Sequence, residues 1–100
     1  MKILHLEDDP NDAALVEAHL RLQWPDVGYA VAPTFADFET ALRASVPDVI
    51  LADFAVGAVD GLTALRAAKA VAPDTPFIIV SGSIGEDRAI EVMRSGAQDY

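Results

Sequence analysis

The chain has 100 residues, of which 52% are hydrophobic and 23% charged, and this size and composition favour one globular domain. Its formal net charge is −9, so we expect it to repel a nucleic-acid backbone rather than bind it directly. The absence of cysteine excludes disulfides, thiolate catalysis and cysteine metal sites. No apolar run is long enough to span a bilayer and no leader peptide is visible, which predicts a cytoplasmic location and no membrane partner.

Short apolar runs that favour β-strands alternate with helix-like segments, beginning with a strand over residues 2–6. A helix over residues 10–22 is predicted next. Asp9 is suited to cap this helix, Pro10 to begin it and Asp12 to occupy its first turn. Its apolar residues recur at helical spacing, at positions Ala14, Leu15, Ala18 and Leu22.

The remaining elements continue the alternation. The third strand is a continuous apolar run, which is typical of a strand covered on both faces. Thr34 is suited to cap the second helix and Gly96 to end the fourth. The predicted elements are strands over residues 29–32, 49–52 and 77–80 and helices over residues 34–44, 61–71 and 86–95.

The order βαβαβαβα predicts an α/β fold, with a parallel sheet that is doubly wound by helices on both faces. In such sheets, ligands bind beyond the carboxyl ends of the strands, where the strand order reverses. The carboxyl ends are therefore the places to look for chemistry. Here the first strand is followed by Glu7, Asp8 and Asp9, the third by Asp53 and the fourth by Ser81.

If the first and third strands are neighbours, the carboxylates of Glu7, Asp8 and Asp53 converge. Their mutual repulsion can be relieved by a proton held at a raised pKa or by a hard cation such as magnesium. An aspartate in such a site can act as a nucleophile and form an aspartyl phosphate. A hydroxyl at Ser81 could then donate to a phosphoryl oxygen. Asp9 is interpreted as a helix cap rather than a ligand.

Five segments, taken in order, resemble the receiver domains of response regulators in two-component signalling. The resemblance implies a flavodoxin-like sheet with strand order 2-1-3-4, in which the fifth strand and fifth helix of the family are missing or only begun. The expected organisation is one receiver domain over residues 1–100 that lacks its C-terminal strand and helix. The segments that carry the resemblance are residues 3–10, 47–53, 60–62, 76–82 and 95–100.

The resemblance also implies roles for individual residues in the site. Asp53 would be the phosphoacceptor and would bind Mg²⁺ together with Asp8. The backbone carbonyl of Ala55 would be the third protein ligand, and Glu7 would act on the magnesium ion through water. His5 and His19 lack a recognisable metal spacing and are interpreted as core or surface residues.

Two further residues would report the phosphorylation state. Ser81 would be the switch hydroxyl, and Tyr100 falls at the switch aromatic. Gly57 departs from the family, which usually has proline there, and suggests a more mobile loop after Asp53. The family lysine would lie three residues beyond Tyr100.

Three functions are compatible with these residues. The leading hypothesis is a phosphorylation switch whose partner is a histidine kinase or phosphotransfer protein. It would catalyse at most its own phosphorylation and dephosphorylation, so it is a signalling switch and not an enzyme. The second is a phosphorylation-independent pseudo-receiver that acts in docking or dimerisation. The third, a flavin- or nucleotide-binding domain, lacks the expected phosphate loop after the first strand. Self-association through the apolar edge of residues 77–80 is also predicted.

Overall fold

The computed structural model describes residues 1–53, 55–56 and 59–80, and for residues 55–56 and 59–61 it describes the backbone only. The predicted fourth helix, Gly57, Ser81 and Tyr100 lie outside these residues. The described elements, in chain order, are β1 (Lys2–Leu6), α1 (Pro10–Gln23), β2 (Gly28–Ala32), α2 (Phe35–Ala44), β3 (Val49–Ala52), β4 (Ala55–Val56), β5 (Val59–Asp60), α3 (Gly61–Val71) and β6 (Phe77–Ile79).

Four of the strands form one parallel sheet in the order β2-β1-β3-β6. Because β6 is the fourth strand of this sheet along the chain, the predicted order 2-1-3-4 and the flavodoxin-like fold are confirmed. β1 is central and pairs with both β2 and β3, with Leu6 opposite Ala32 on one side and opposite Ala52 on the other. The sheet therefore brings the carboxyl ends of β1 and β3 side by side.

The buried residues divide between the two faces of the sheet. One cluster contains Phe38 and Leu42 of α2, Leu65 of α3 and Phe77 of β6, all with at most 1% of their surface exposed. The other cluster has Ile3, Val27 and Leu51 as its buried members. β3 contributes Ile50 to the first cluster and Leu51 to the second, as expected for a strand covered on both faces.

The boundaries of the first two helices follow from side-chain caps. Asp9 caps α1, because its Oδ1 accepts hydrogen bonds from the backbone amides of Asn11 and Asp12 at 2.8 and 3.4 Å. Thr34 caps α2, because its Oγ1 accepts from the amide of Asp37 at 3.1 Å. Each cap satisfies an amide that has no partner within its helix. Both predicted caps are confirmed.

The buried face of α1 differs from the apolar stripe seen in the sequence. Ala13 is buried, and Val16 and Leu20 pack against the sheet. In contrast, Leu15 is 62% exposed and Leu22 82% exposed. Apolar residues occur on both sides of this helix, so spacing alone predicts the helix correctly but does not identify the side that faces the core.

The segment between β3 and α3 contains two short strands that the sequence analysis did not predict. β4 and β5 pair antiparallel, with Ala55 opposite Asp60 and Val56 opposite Val59. This segment leads directly into α3, which begins at Gly61 as predicted. The two strands are only two residues long, which is too short for alternation in the sequence to reveal them.

Candidate functional site

The residues that follow β1 and β3 are each held by a backbone hydrogen bond to a neighbouring strand, which fixes the positions of the acidic residues. The amide of Glu7 donates to the carbonyl of Ala32 at 3.0 Å, and the amide of Asp53 donates to the carbonyl of Leu6 at 2.9 Å. These bonds continue the parallel ladders by one residue beyond each strand. They place Glu7, Asp8 and Asp53 at the same edge of the sheet.

The three carboxylates form a compact cluster. One oxygen from each of Glu7, Asp8 and Asp53 lies within 4.8 Å of the others. The predicted convergence is therefore confirmed, while Asp9 points its carboxylate into the helix cap instead. The cluster is graded in burial: Glu7 is 5% exposed, Asp53 is partly buried and Asp8 is exposed.

The burial and close approach of these carboxylates raise the pKa of Glu7. The pKa of Glu7 is raised to about 8, mainly by burial and also by a hydrogen bond with Asp53 and by the negative charges of Asp53, Asp12 and Asp8. At neutral pH the Glu7 carboxyl is consequently protonated in the protein without a cation. A proton thus relieves the repulsion between these carboxylates, which is one of the two remedies left open by the sequence.

The donor set also fits a hard divalent cation. Carboxylate oxygens are the ligands that magnesium prefers, and one or two of them suffice because the ion retains several waters. Oε2 of Glu7 is buried and has no hydrogen-bond partner within the described part of the chain. A bound cation or one of its waters would give this oxygen a partner. Asp8 and Asp53, which are more accessible, are the residues best placed to reach the ion itself.

A second polar contact lies next to the acidic cluster, on the α1 side of the sheet. His5 of β1 is buried, and its Nδ1 lies 2.6 Å from Oη of Tyr29 in β2. The Tyr29 hydroxyl donates to the carbonyl of Ala13 in α1 at 3.2 Å. Because that hydroxyl has one hydrogen, His5 must donate from Nδ1, which leaves Nε2 as an acceptor. The contact links β1, β2 and the start of α1.

Burial sets the protonation state of both residues in this contact. It lowers the pKa of His5 to about 4, and the negative charge of Asp53 only partly offsets this effect. Burial, together with the charges of Glu17 and Glu7, raises the pKa of Tyr29 to about 12. Both rings are therefore neutral at neutral pH. His5 is a core residue, as expected, but its bond to Tyr29 was not predicted, because the sequence does not reveal which residues of neighbouring strands meet.

The structure leaves some predicted site residues untested. Ser81 and Tyr100 lie outside the described residues, as does Gly57. Ala55 begins β4, two residues beyond Asp53 along the chain. The roles assigned to these residues stay predictions.

The family model described as "Response regulator receiver domain" matches residues 3–100. The chain belongs to the response regulator receiver domain family. Receiver domains are signalling switches of two-component systems rather than conventional enzymes. Within the described ranges, no helix combines the length and apolar character needed to cross a membrane.

Among the curated relatives, the regulatory protein LuxO of Vibrio vulnificus is 34% identical over 95 residues, which are 95% of this chain and 20% of LuxO. The chain thus spans about a fifth of the length of LuxO, and it covers 22% of the transcriptional regulatory protein ZraR of Salmonella typhimurium.

Solved structures share the fold. A receiver domain from Colwellia psychrerythraea superposes with a TM-score of 0.90 at 22% identity, covering 100% of this chain and 84% of that one. The receiver domain of the sensor histidine kinase PA1611 from Pseudomonas aeruginosa superposes with a TM-score of 0.81 at 24% identity, covering 99% and 81%. The latter is described with a magnesium ion coordinated in its active-site cleft.

Proposed function

We propose that this chain is a phosphoacceptor receiver domain that takes a phosphoryl group on Asp53 in the presence of Mg²⁺. The donor would be a phosphohistidine on a histidine kinase or phosphotransfer protein. The observation that carries the proposal is the cluster of Glu7, Asp8 and Asp53, whose carboxylate oxygens lie within 4.8 Å of one another at the carboxyl edge of the sheet. Membership of the receiver family supports the choice of reaction.

Each residue of the cluster has a burial that suits its proposed role. Asp53 is partly buried, so it is shielded from bulk water yet reachable by a donor. Asp8 is exposed and would bind the ion directly together with Asp53. Glu7 is the most buried and would act through a bound water. The backbone carbonyl of Ala55 would complete the protein ligands, and magnesium, when bound, would neutralise negative charge at the site.

The proposed reaction is a direct transfer between two side chains. A carboxylate oxygen of Asp53 attacks the phosphorus, and the bond from phosphorus to the donor's imidazole nitrogen breaks. The electron pair of that bond remains on the imidazole nitrogen. The product is a mixed anhydride on Asp53 and a free histidine on the donor. Because an anion approaches an anion, the step depends on positioning and on charge neutralisation.

Phosphorylation would change which partners the domain binds. In this proposal, the hydroxyl of Ser81 moves towards the phosphoryl group and the ring of Tyr100 follows, as the family resemblance implies. Self-association through β6 is a further proposal, since β3 is its one neighbouring strand within the described residues. The proposed setting is the cytoplasm. The intact acidic cluster argues against a pseudo-receiver, and its negative charge argues against a flavin or nucleotide phosphate in that place.

The test is phosphorylation of the purified protein with acetyl phosphate and Mg²⁺, read by intact-mass spectrometry. We expect one added phosphoryl group, lost when Mg²⁺ is omitted and lost in Asp53→Asn. Asp48→Asn is the matched control, because Asp48 is an exposed aspartate at the opposite end of β3. A folded protein that gains no phosphoryl group, or gains one equally in Asp53→Asn, would contradict the proposal.

A further inference from the structure

The outer edge of β2 has no neighbouring strand within the described residues, because β2 lies at one end of the four-stranded sheet and pairs with β1 alone. The pairing is regular over all five residues, from Gly28 to Ala32, without a bulge. None of these residues is charged and none is proline. Charged residues, prolines and bulges are common features that prevent the edges of sheets from pairing. β2 therefore presents an edge that is open to another strand.

The main-chain groups that point to this edge belong to Tyr29 and Val31. The amide of Gly28 donates to the carbonyl of Met1 at 2.8 Å, and the carbonyl of Ala32 accepts from the first amide after β1 at 3.0 Å. The main chain of both residues is thus directed to the β1 side. Because successive residues of a strand direct their amide and carbonyl to opposite sides, Tyr29 and Val31 direct two donors and two acceptors away from the sheet.

The space beside this edge is also open. A groove of about 430 Å³ lies between β2 and the first half of α1, and Ala14, Tyr29 and Val31 are among the residues that line it. The side chain of Val31 is 46% exposed. Apolar surface left in water favours association with a partner that covers it. A strand that pairs with β2 would place its own side chains along this groove.

The edge is complementary to itself. In an antiparallel pair related by a twofold axis at Ala30, Tyr29 of each copy lies opposite the partner's Val31. Each of these two pairs exchanges two main-chain hydrogen bonds, so all the outward donors and acceptors of the two edges are used. An aromatic ring beside a β-branched side chain is also a favourable cross-strand pair. A second copy of the chain consequently fits the edge without leaving an outward main-chain group unpaired.

Charge determines how such a pair would respond to salt. Each chain has a formal net charge of −9, so two copies repel each other. β2 itself has no charged residue, so the pairing of two β2 strands contains no ion pair that salt would weaken. Salt screens the repulsion and leaves the contact itself unchanged. The association should therefore strengthen as the ionic strength rises.

We propose that two copies of this chain associate through antiparallel pairing of their β2 strands, which joins the two sheets into one. Five residues a side are far fewer than the roughly 20–30 of a stable interface, so we expect a weak dimer with a dissociation constant on the order of 0.1–1 mM. This edge and the β6 edge lie at opposite ends of the sheet. The dimer goes beyond phosphoryl transfer and does not depend on it.

The test is a dilution series of the unmodified protein from about 2 mM to 20 μM, followed by amide NMR shifts and by sedimentation equilibrium. We expect concentration-dependent shifts in residues 28–32 that saturate together with the rise in mass. Association should be about three- to tenfold tighter in 0.5 M salt than in roughly 0.05 M salt. The absence of concentration-dependent shifts in residues 28–32 would overturn the proposal, whether or not residues 77–80 shift.

Variants of Val31 test the pairing itself. Val31→Pro removes an outward amide but no bond to β1, and it should weaken association at least about tenfold. Val31→Thr keeps the amide and the β-branched shape, so it is the matched control and should associate within about twofold of the unmodified protein. Val80→Lys changes the residue after β6 and should leave association through β2 unaltered.

A further variant covers the case in which proline disturbs the strand. Val31→Glu keeps every main-chain group but adds a negative charge to both edges, so it should weaken association about fivefold. Circular dichroism establishes that each variant is folded. If a folded Val31→Pro or Val31→Glu associates as tightly as the unmodified protein, the pairing of β2 strands is refuted.

The outcome is separable from that of the phosphorylation assay. All of these variants retain Glu7, Asp8 and Asp53, so they should be phosphorylated like the unmodified protein. Association through β2 without phosphorylation would sustain the dimer and remove the proposed reaction. Phosphorylation without association would do the reverse.

Discussion

The two faces of the sheet differ in the number of buried hydrophobic residues that the described part of the chain places on them. Among the described residues, thirteen buried hydrophobic residues form the cluster beneath α2 and α3, whereas three form the cluster on the α1 face. Phe38 and Phe77 are completely buried in the first cluster. On the α1 face, Leu15 and Leu22 are 62% and 82% exposed, and a second groove of about 530 Å³ is lined by residues that include Leu51 and Val80.

The difference indicates a division of roles between the faces. Hydrophobic stabilisation grows with the apolar area removed from water, so most of the stabilisation that the described residues supply comes from the α2–α3 face. Because side chains alternate along a strand, Ile3, His5 and Glu7 of the β1 segment share the opposite face. Two of the buried polar residues, His5 and Glu7, therefore lie on the face with the smaller described cluster. We expect substitutions on the α2–α3 face to change stability most. Substitutions on the α1 face should mainly change the protonation of the buried polar groups and the binding of ligands.

The largest expected effect is on the α2–α3 face. Phe38→Ala should lower the free energy of unfolding by about 3–5 kcal/mol, because it removes a completely buried ring and leaves a cavity. Leu22→Ala on α1 is the comparison and should change stability by less than about 0.5 kcal/mol, since Leu22 is 82% exposed. Urea unfolding followed by circular dichroism measures both. Comparable losses in the two variants would refute the proposed division.

A smaller loss of stability is expected when the polar contact between His5 and Tyr29 on the α1 face is removed. Tyr29→Phe removes the hydroxyl that accepts from His5 and donates to the carbonyl of Ala13. The buried Nδ1–H of His5 then has no acceptor, so we expect a loss of about 1–3 kcal/mol. Urea unfolding measures it at neutral pH. Unchanged stability in Tyr29→Phe would mean that water replaces the hydroxyl.

The last expected effect is a gain in stability rather than a loss, and it concerns Glu7. The pKa of Glu7 is raised from 4.5 to about 8, so its contribution to stability is fully present below pH 4.5 and is lost as the pH rises towards 8. Glu7→Gln imitates the protonated acid at every pH. It should therefore stabilise the cation-free protein increasingly as the pH rises from 4.5 towards 8 and leave it unchanged near pH 4.

Thermal unfolding in a chelating buffer across this pH range measures the Glu7 effect. Glu39→Gln on α2 is the matched control. Added Mg²⁺ should stabilise the unmodified protein more than Glu7→Gln, because the variant cannot supply a carboxylate. A stability difference between the two proteins that does not change with pH would show that Glu7 keeps its ordinary pKa when folded.

Local sequence signals predicted the elements well. The caps at Asp9 and Thr34 depend on a side chain and the amides two or three residues away, so the sequence contains all the information they need. The adjacency of β1 and β3 is different, because it joins distant segments. It came from the family resemblance, and it determines that Asp53 lies beside Glu7 and Asp8.

Other features depend on packing that no local pattern records. The buried side of α1 is selected by contacts with the sheet, and the choice of Ala13 over Leu15 could not be made from spacing. The bond between His5 and Tyr29 requires both the strand register and the helix position. The raised pKa of Glu7 requires the depth of burial as well as the neighbouring charges. The three acids could be identified from the sequence, but the one that holds a proton could not.

The backbone amides of Glu7 and Asp53 both donate to neighbouring strands. In each residue, position is consequently set by the main chain and chemistry by the side chain. These two amide protons should exchange slowly with solvent, although they lie at the edge of the sheet beside its most polar region. Their NMR resonances are thus internal probes that remain visible in every side-chain variant, and they should record the arrival of a proton, a cation or a phosphoryl group as distinct shifts.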